Sequence, residues 1–367
     1  MGGGQLGQML IQSGISYHIS FHILDPSATA PCRHLCTDFV QGDFNDYDTV
    51  YRFGQNLDLV TIEIEHVNVD ALEQLEKEGV AVYPSPKLIR TVQDKGLQKQ
   101  FFKEHNLPSS DFYLLENRND IHEFLDFLPA AQKLRTGGYD GKGVSIIDRG
   151  NYIDKSFDAP SVLEKKVEIN KELSFIVARN VSGEIKIYPP VELLFHPTYN
   201  LVEYLSSPAS LAQDLCAQGE KIATQLAEDL ALVGILAIEM FLDTEGNLLI
   251  NEIAPRPHNS GHQTIEGNVT SQFEQHLRAI LDLPLGDTDA IGHSVMINVL
   301  GEEGYSGEVQ YEGMEELLKS PRTYVHLYGK SETRPGRKMG HVTIVDDQPS
   351  QAKAKAEAIK KQLKVIA

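Results

Sequence analysis

Residues 137–143 read GGYDGKG, and residues 251–262 read NEIAPRPHNSGH. The first stretch sits between two short apolar runs, AAQKL at 130–134 and VSII at 144–147. A glycine-rich turn between two antiparallel strands differs from the strand-turn-helix of a Walker loop, and no Ser or Thr follows Lys142. It suits a flexible flap whose backbone N–H groups fold over phosphates. Lys133 lies in the middle of the preceding apolar strand, where a lysine needs an anion or water within reach.

The second stretch closes a predicted hairpin, 235–242 with 248–252, around DTEGN. If Leu242 pairs near Leu248 or Leu249, Glu239 falls opposite Asn251 or Glu252. Two carboxylates facing each other on neighbouring strands repel. A divalent cation turns that cost into a binding site, and oxygen-only ligands with open positions fit Mg²⁺ shared with nucleotide phosphates. Ile238, Met240, Phe241, Leu249, Ile250 and Ile253 make the hairpin too apolar for two carboxylates idling in water. Arg256, His258, Asn259, Ser260 and His262 then crowd one loop, as an anionic or heterocyclic ligand requires.

Outward from these two stretches the chain alternates strands and helices. Residues 18–25 and 57–64 read as strands, Asn68 caps a helix running to Gly79, and 80–83 is a further strand. That alternation implies a doubly wound parallel sheet. The opening GGGQLG places Gly2, Gly4 and Gly7 in a dinucleotide-like pattern, with Asp25 about where a ribose-binding acid lies. A strand-to-helix packing turn or a substrate-facing loop satisfies the same glycines. No strand precedes them, so the sheet is expected to lack its first, central strand and to show an unfilled position or an exposed apolar flank. The natural protein is accordingly expected to start upstream with a short apolar strand. Glu63 and Glu65 end a predicted strand, where open α/β sheets bind ligands, and the alternative is two solvated carboxylates.

Residues 87–105 carry a helical pattern, with Lys95 and Lys99 four apart on one face. Residues 162–167 form a charged strand of the kind whose backbone pairs with an adenine, with Glu172 just beyond it as the acid for a ribose. Residues 209–232 form a long amphipathic helix. Strands at 294–300 and 324–328 lead into ETRPGRKMGH, where Arg334, Arg337 and Lys338 on one turn would hold a phosphate. The tail at 351–364 reads as a charged surface helix.

The chain has 367 residues, 41% of them hydrophobic, enough for two or three domains with cores. A net charge of -19 argues against nucleic acid and anionic membranes as partners. No apolar run reaches the ~18 residues of a spanning helix. The N-terminus lacks signal-peptide character. Cys32, Cys36 and Cys216 form no disulfide framework, and Cys32 with Cys36 has no second Cys/His pair at zinc spacing. These features point to a reduced, cytoplasmic enzyme.

GGYDGKG, NEIAPRPHNSGH and RPGRKMGH, in that order, closely resemble the N5-carboxyaminoimidazole ribonucleotide synthase family of ATP-grasp enzymes. The resemblance spans nearly the whole chain. It implies an α/β, three-domain ATP-grasp architecture: a Rossmann-like domain at 1–85, an ATP-grasp domain with a hinged flap at 86–290 and a small αβ domain at 291–367. It implies that ATP, bicarbonate and 5-aminoimidazole ribonucleotide yield ADP, phosphate and the N5-carboxylated product, by a homodimer. Carried over by position, Lys95, Lys133, the flap residues Gly138, Tyr139, Asp140, Gly141, Lys142, Gly143 and Val144, then Glu164, Lys165, Lys166, Val167, Glu172, His196 and Asn251 would contact ATP. Glu239 and Glu252 would hold Mg²⁺. Tyr139, Lys142, Arg256, His258, Asn259, Arg337 and Lys338 would surround the ribonucleotide and the carboxylating intermediate. Relatives often carry arginine where this chain has Lys95, and Ala254 stands where many ATP-grasp enzymes have an asparagine metal ligand. Two other readings stay open. One is a different ATP-grasp carboxylase or a formate-dependent ribonucleotide transformylase. The other is a nicotinamide-binding regulatory protein, which leaves the flap and the glutamate hairpin without a role.

Overall fold

The computed structural model describes residues 1–138, 143–195 and 202–367. The flap residues Tyr139, Asp140, Gly141 and Lys142, and His196, lie outside them. Among the described residues nine strands form one antiparallel sheet. Its order runs Leu248–Ala254, Gly234–Asp243, Ile169–Arg179, Val191–Phe195, Val202–Ser207, His293–Leu300, Lys338–Asp346, Thr323–Leu327, with Ile185–Ile187 beside Ile169–Arg179. The sheet therefore continues across residue 290, and the segments on either side share one ladder. A separate four-stranded sheet, Phe112–Leu115, Ser161–Lys165, Ala130–Leu134, Val144–Ile147, stands over one end. Residues 166–168 join the two sheets, so the small sheet and the large one form the walls of a cleft.

The apolar pattern explains the layering. The helix Gln213–Asp229 buries Ile222, Ala223, Leu226 and Ala227 along one stripe against Phe175 and Val177 of the central strand. Each such side chain contributes about 1.5–3 kcal/mol on full burial. The helical pattern at 87–105 is two helices, Pro86–Gln93 and Lys95–Glu104. Asp94 divides them: it is extended, and its carboxylate accepts from the Gly96 and Leu97 N–H groups as an N-cap. The cap orients the second helix, which carries Lys95 to Glu252 and Lys99 to the buried Glu164. The terminal helix Pro349–Gln362 is not purely a surface helix, since it buries Ala352, Ala356 and Ile359.

The N-terminal segment departs from a closed parallel sheet. His22–Asp25 pairs in parallel with Asp38–Gln41, and Leu59–Thr61 with Ala81–Tyr83, as two separate ladders. Met1 and Gly2 bridge the space between them. The Met1 nitrogen donates to Thr61 O at 2.6 Å, Gly2 N to Leu24 O at 3.0 Å, and Glu63 N to Met1 O at 2.9 Å. The expected exposed apolar flank does not occur, because Leu24, Val60 and Met1 are buried together. The glycine turn is filled from within. Gly3 N donates to Asp25 Oδ2 at 2.7 Å and Gly4 N to Glu63 Oε1 at 2.8 Å. Gly2 has φ +92°, and a Cβ there would lie 2.5 Å from Glu63 Cγ. The donors a dinucleotide pyrophosphate needs are thus taken by the chain's own carboxylates. Cys32, Cys36 and Cys216 are free thiols.

Gly219 tests how tightly the long helix is seated. Alanine is favoured over glycine in a helix by about 1 kcal/mol. A Cβ at Gly219, however, would lie 2.1 Å from the Phe175 ring. Overpacking of that kind costs about 1–3 kcal/mol, occasionally more. Gly219→Ala is therefore expected to lower the urea midpoint without changing the slope. A raised midpoint would show that the helix yields and that propensity decides.

Candidate active site

The hairpin Gly234–Asp243 with Leu248–Ala254 positions the two glutamates, and a bulge sets their register. Leu242 pairs with Leu248 and Met240 with Ile250, which by simple counting would put Glu239 opposite Asn251. Asn251 is an extra residue in its strand, and Glu239 faces Glu252 instead. Bulges re-aim side chains in this way. Here the bulge brings Asn251 and Glu252 to the cleft together. Burial, then Glu252, then Glu172, raises the Glu239 carboxyl above the ordinary carboxylate range. Glu252 shifts the opposite way, because Lys95 holds it ionised.

Lysines from two other elements converge on this pair. The Lys95 ammonium donates to Glu252 Oε2. Burial works against the Lys95 charge, and Glu252 outweighs burial, so its pKa rises. Lys133, on the strand Ala130–Leu134, donates to Asn251 Oδ1 at 2.7 Å and lies 3.0 Å from Glu164 Oε1. The other Glu164 oxygen is 3.0 Å from the Lys99 ammonium and accepts from Ser110 Oγ at 2.8 Å. Burial alone would raise Glu164; Lys133 and Lys99 outweigh it and hold the carboxyl at about 2. Glu172, on Ile169–Arg179 beside Glu239, is pushed up to about 6 by burial.

Arg256 and His258 also stand near Glu252. Arg256 Nε lies 2.6 Å from Glu65 Oε1, a close ion pair whose angle falls short of a hydrogen bond. His258 is held at both ends of its backbone by Gln272, which accepts from His258 N at 2.9 Å and donates to His258 O at 2.7 Å. Its Nδ1 accepts from Ser260 N at 3.3 Å and sits 2.9 Å from Ser260 Oγ, itself 2.8 Å from Ser174 Oγ. Burial, with Arg256 and Lys338 nearby, lowers the His258 pKa to about 4. The imidazole is neutral at neutral pH, and the bonds at Nδ1 leave its proton on Nε2. That Nε2 lies 3.8 Å from Glu239 Oε1. A second bulge serves Lys338. Val299 pairs with Gly340 and Leu300 with Lys338, which makes Met339 the extra residue.

The structure thus gathers Lys95, Lys133, Glu164, Glu172, Glu239, Asn251, Glu252, Arg256, His258 and Lys338 around one cleft. Other expected residues turn elsewhere. The Lys165 ammonium donates to Phe127 O at 2.7 Å, and Lys166 pairs with Glu168 at 2.9 Å. Arg337 donates to Glu332 O at 2.6 Å. Asn259 Nδ2 is buried with no partner among the described residues. Val144 pairs with Lys133 at the flap root, and Gly143 there has φ +84°. Sequence reasoning placed Lys99 on one face with Lys95 without assigning it to the site, and left out Ser110, Gln272 and the pairing of Glu65 with Arg256. The four-residue spacing of Lys95 and Lys99 was the one available signal.

The donor set fits a divalent cation that arrives with a nucleotide. Glu239 and Glu252 supply oxygens only, on facing strands. Among the described residues no cluster of three or more His, Cys, Asp or Glu could hold a metal alone. Two carboxylates leave coordination positions for phosphate oxygens. No described helix is long and apolar enough to cross a membrane.

Comparison with known proteins agrees with this geometry. Residues 1–93 match a ribonucleotide synthetase preATP-grasp domain, 100–273 an ATP-grasp domain, and 294–355 a phosphoribosylaminoimidazole carboxylase C-terminal domain. The chain is 35% identical to the N5-carboxyaminoimidazole ribonucleotide synthase of Bacillus subtilis, over 94% of this chain and 90% of that protein. The crystal structure of N5-carboxyaminoimidazole ribonucleotide synthetase from Thermotoga maritima superposes with a TM-score of 0.91 at 41% identity, covering 100% of this chain and 98% of that one. The Aspergillus clavatus synthase, solved with ADP and 5-aminoimidazole ribonucleotide, gives a TM-score of 0.88 at 30% identity, covering 98% and 96%. Two curated relatives called phosphoribosylaminoimidazole carboxylase are longer, and the chain spans 65% of their length.

The raised Glu239 carboxyl predicts a pH dependence of stability. A carboxyl whose folded pKa is raised binds its proton more tightly in the folded chain than in the unfolded one. The folded state is then favoured at acid pH and loses stability as pH climbs above the ordinary glutamate value of 4.5. Glu252, shifted down, acts only on the acid side of that value. In the presence of a chelator, Glu239→Gln is expected to melt higher than the parent at about pH 8, with the gap closing towards about pH 5. A gap that does not change with pH would mean that the two carboxylates do not repel in the folded protein.

Proposed function

The chain belongs to the N5-carboxyaminoimidazole ribonucleotide synthase family, and from that premise we propose that it carboxylates 5-aminoimidazole ribonucleotide with bicarbonate at the expense of ATP. Products are ADP, phosphate and N5-carboxyaminoimidazole ribonucleotide, a step of purine biosynthesis. One observation carries the reading: Glu252 joins the group formed by Lys95 and Lys133 to the group formed by Arg256 and His258. It accepts from the Lys95 ammonium and lies near both Arg256 and the neutral His258. Phosphoryl transfer and carboxyl transfer would then occur side by side.

The chemistry needs that adjacency. Bicarbonate is a poor electrophile. Its oxygen attacks the γ-phosphorus of ATP, the bond to the β-phosphate oxygen breaks, and carboxyphosphate forms as ADP leaves. Carboxyphosphate hydrolyses easily, so it must be used where it is made. Lys95 and Lys133 neutralise phosphate charge at the site of transfer, and Mg²⁺ held by Glu239 and Glu252 would add to that neutralisation when bound. The backbone of 164–167, between the two sheets, takes the adenine. Arg256 holds the carboxylate. His258, neutral and with its proton on Nε2, offers a donor without adding charge. The ribonucleotide amine takes up the carboxyl group as phosphate departs. Tyr139 and Lys142, with the rest of the flap, close the site and exclude water. A homodimer belongs to the same proposal, and light scattering tests it.

The deciding experiment is ADP release with Mg-ATP and bicarbonate, with and without 5-aminoimidazole ribonucleotide. Release is expected to rise on adding the ribonucleotide, and no stimulation would sink the reading. Lys338→Ala is expected to weaken ribonucleotide binding by about 1.5–3 kcal/mol, the worth of a charge-assisted contact, and to leave ATP affinity near that of the parent. Titration calorimetry with each ligand separates the two, and equal weakening of both would mean that the turn is structural.

A further inference from the structure

We propose that Lys99 is a positioning residue for the nucleotide: it balances the charge of Glu164, so that the ammonium of Lys133 remains available to a phosphate. The proposal rests on the reading above that Lys133 meets ATP. Lys99 itself does not reach the cleft. Its side chain is 2% exposed, and Glu164 stands between it and Lys133. The order is Lys99, Glu164, Lys133, Asn251, with spacings of 3.0, 3.0 and 2.7 Å. Its elements are the helix Lys95–Glu104, the strand Ser161–Lys165, the strand Ala130–Leu134 and the strand Leu248–Ala254.

Count the charges along that row. Lys99 is positive, Glu164 negative and Lys133 positive, so the row presents one net positive charge at the end facing Asn251 and the cleft. Without Lys99, the buried carboxylate has only Lys133 to neutralise it. The pair then sums to zero, and the phosphate meets a quenched lysine. In a poorly solvated site such a loss is not made up by water. Ser110 Oγ, which accepts from Lys99 at 3.0 Å and donates to Glu164 at 2.8 Å, offers a hydrogen bond to the carboxylate but no charge.

A purely structural role gives a different expectation. Buried ion pairs are commonly replaceable by apolar side chains of similar volume without loss of stability. If Lys99 only fills space and satisfies Glu164, its replacement would change the melting temperature and leave nucleotide affinity alone. If it balances charge, affinity falls on removing Lys99 and returns when the carboxylate is removed as well.

The test uses the full chain, ADP as probe, titration calorimetry and a thermal melt of the same samples. Lys99→Met is expected to bind ADP about tenfold more weakly or worse, the scale of a lost charge-assisted contact. The double variant Lys99→Met with Glu164→Gln keeps an acceptor for Lys133 and removes the negative charge, and is expected to recover ADP affinity to within about threefold of the parent. Lys99→Met binding ADP as the parent does, or a double variant as weak as the single one, overturns the proposal. A parent chain that binds no ADP overturns it together with the functional reading. Parent binding with an unaffected Lys99→Met overturns the role of Lys99 alone.

Discussion

Two carboxylates face each other across neighbouring strands, and the surrounding groups are arranged around that repulsion. Glu239 and Glu252 are paired by the hairpin register. Left alone, both could not stay ionised in a partly buried cleft. The chain divides the roles: Lys95 holds Glu252 ionised, and Glu239, flanked by Glu172 and against a neutral His258, has its carboxyl raised. One half of the pair is thus charged and the other holds its proton more tightly, an arrangement that the proposed cation would reverse at Glu239. A charged histidine at 258 would compete for that role, and burial beside Arg256 and Lys338 prevents it.

The geometry depends on irregularities in otherwise regular strands. One extra residue at Asn251 moves Glu252 into register with Glu239 and leaves Asn251 beside Lys133. One extra residue at Met339 does the same service for Lys338, on a strand eighty-odd positions downstream in the same sheet. A regular antiparallel ladder alternates its side chains, so consecutive residues face opposite ways. A bulge lets two neighbours serve one site. Rigid strands then hold the functional groups, while the irregularity is confined to single residues.

Much of this was legible in the sequence. The two antiparallel strands about GGYDGKG, the glutamate hairpin and the polar loop after it follow from alternation and turn residues. The register stayed ambiguous between Asn251 and Glu252, because a bulge leaves no mark in a hydrophobic pattern: one inserted polar residue reads like the next alternation. The break at Asp94 was hidden because Lys, Gln and Leu favour a helix on both sides, and only the capping carboxylate betrays it. Glu65 with Arg256, and Gln272 with His258, join residues 191 and 14 positions apart. Such partners are chosen by tertiary packing, which no local spacing encodes. The N-terminal glycines carried a dinucleotide-like pattern, yet Asp25 and Glu63 fill the turn. A glycine pattern fixes backbone freedom and leaves open what occupies it.

The chain carries a net charge of -19, yet its cleft gathers Lys95, Lys133, Arg256 and Lys338, with Lys99 behind Glu164. An acidic exterior repels anionic substrates, so affinity must come from these local charges. Bare cations packed together would repel one another as the carboxylates do. Instead Lys95 has Glu252, Lys99 and Lys133 share Glu164, and Arg256 has Glu65. Each pairing stabilises the empty site and opposes the ligand, because a phosphate gains only the difference between itself and the carboxylate it replaces. The pairings are not equal in this respect. Glu252 is two-fifths exposed and, on the proposed reading, could be handed to a metal as Lys95 turned to a phosphate, whereas Glu164 is almost fully buried and held in place by Lys99, Lys133 and Ser110. The exchangeable pair lies where metal and nucleotide would arrive together, and the permanent one lies behind it. On the proposed reading, binding either partner alone would leave half of the exchange unmade, so metal and nucleotide would favour each other at this site.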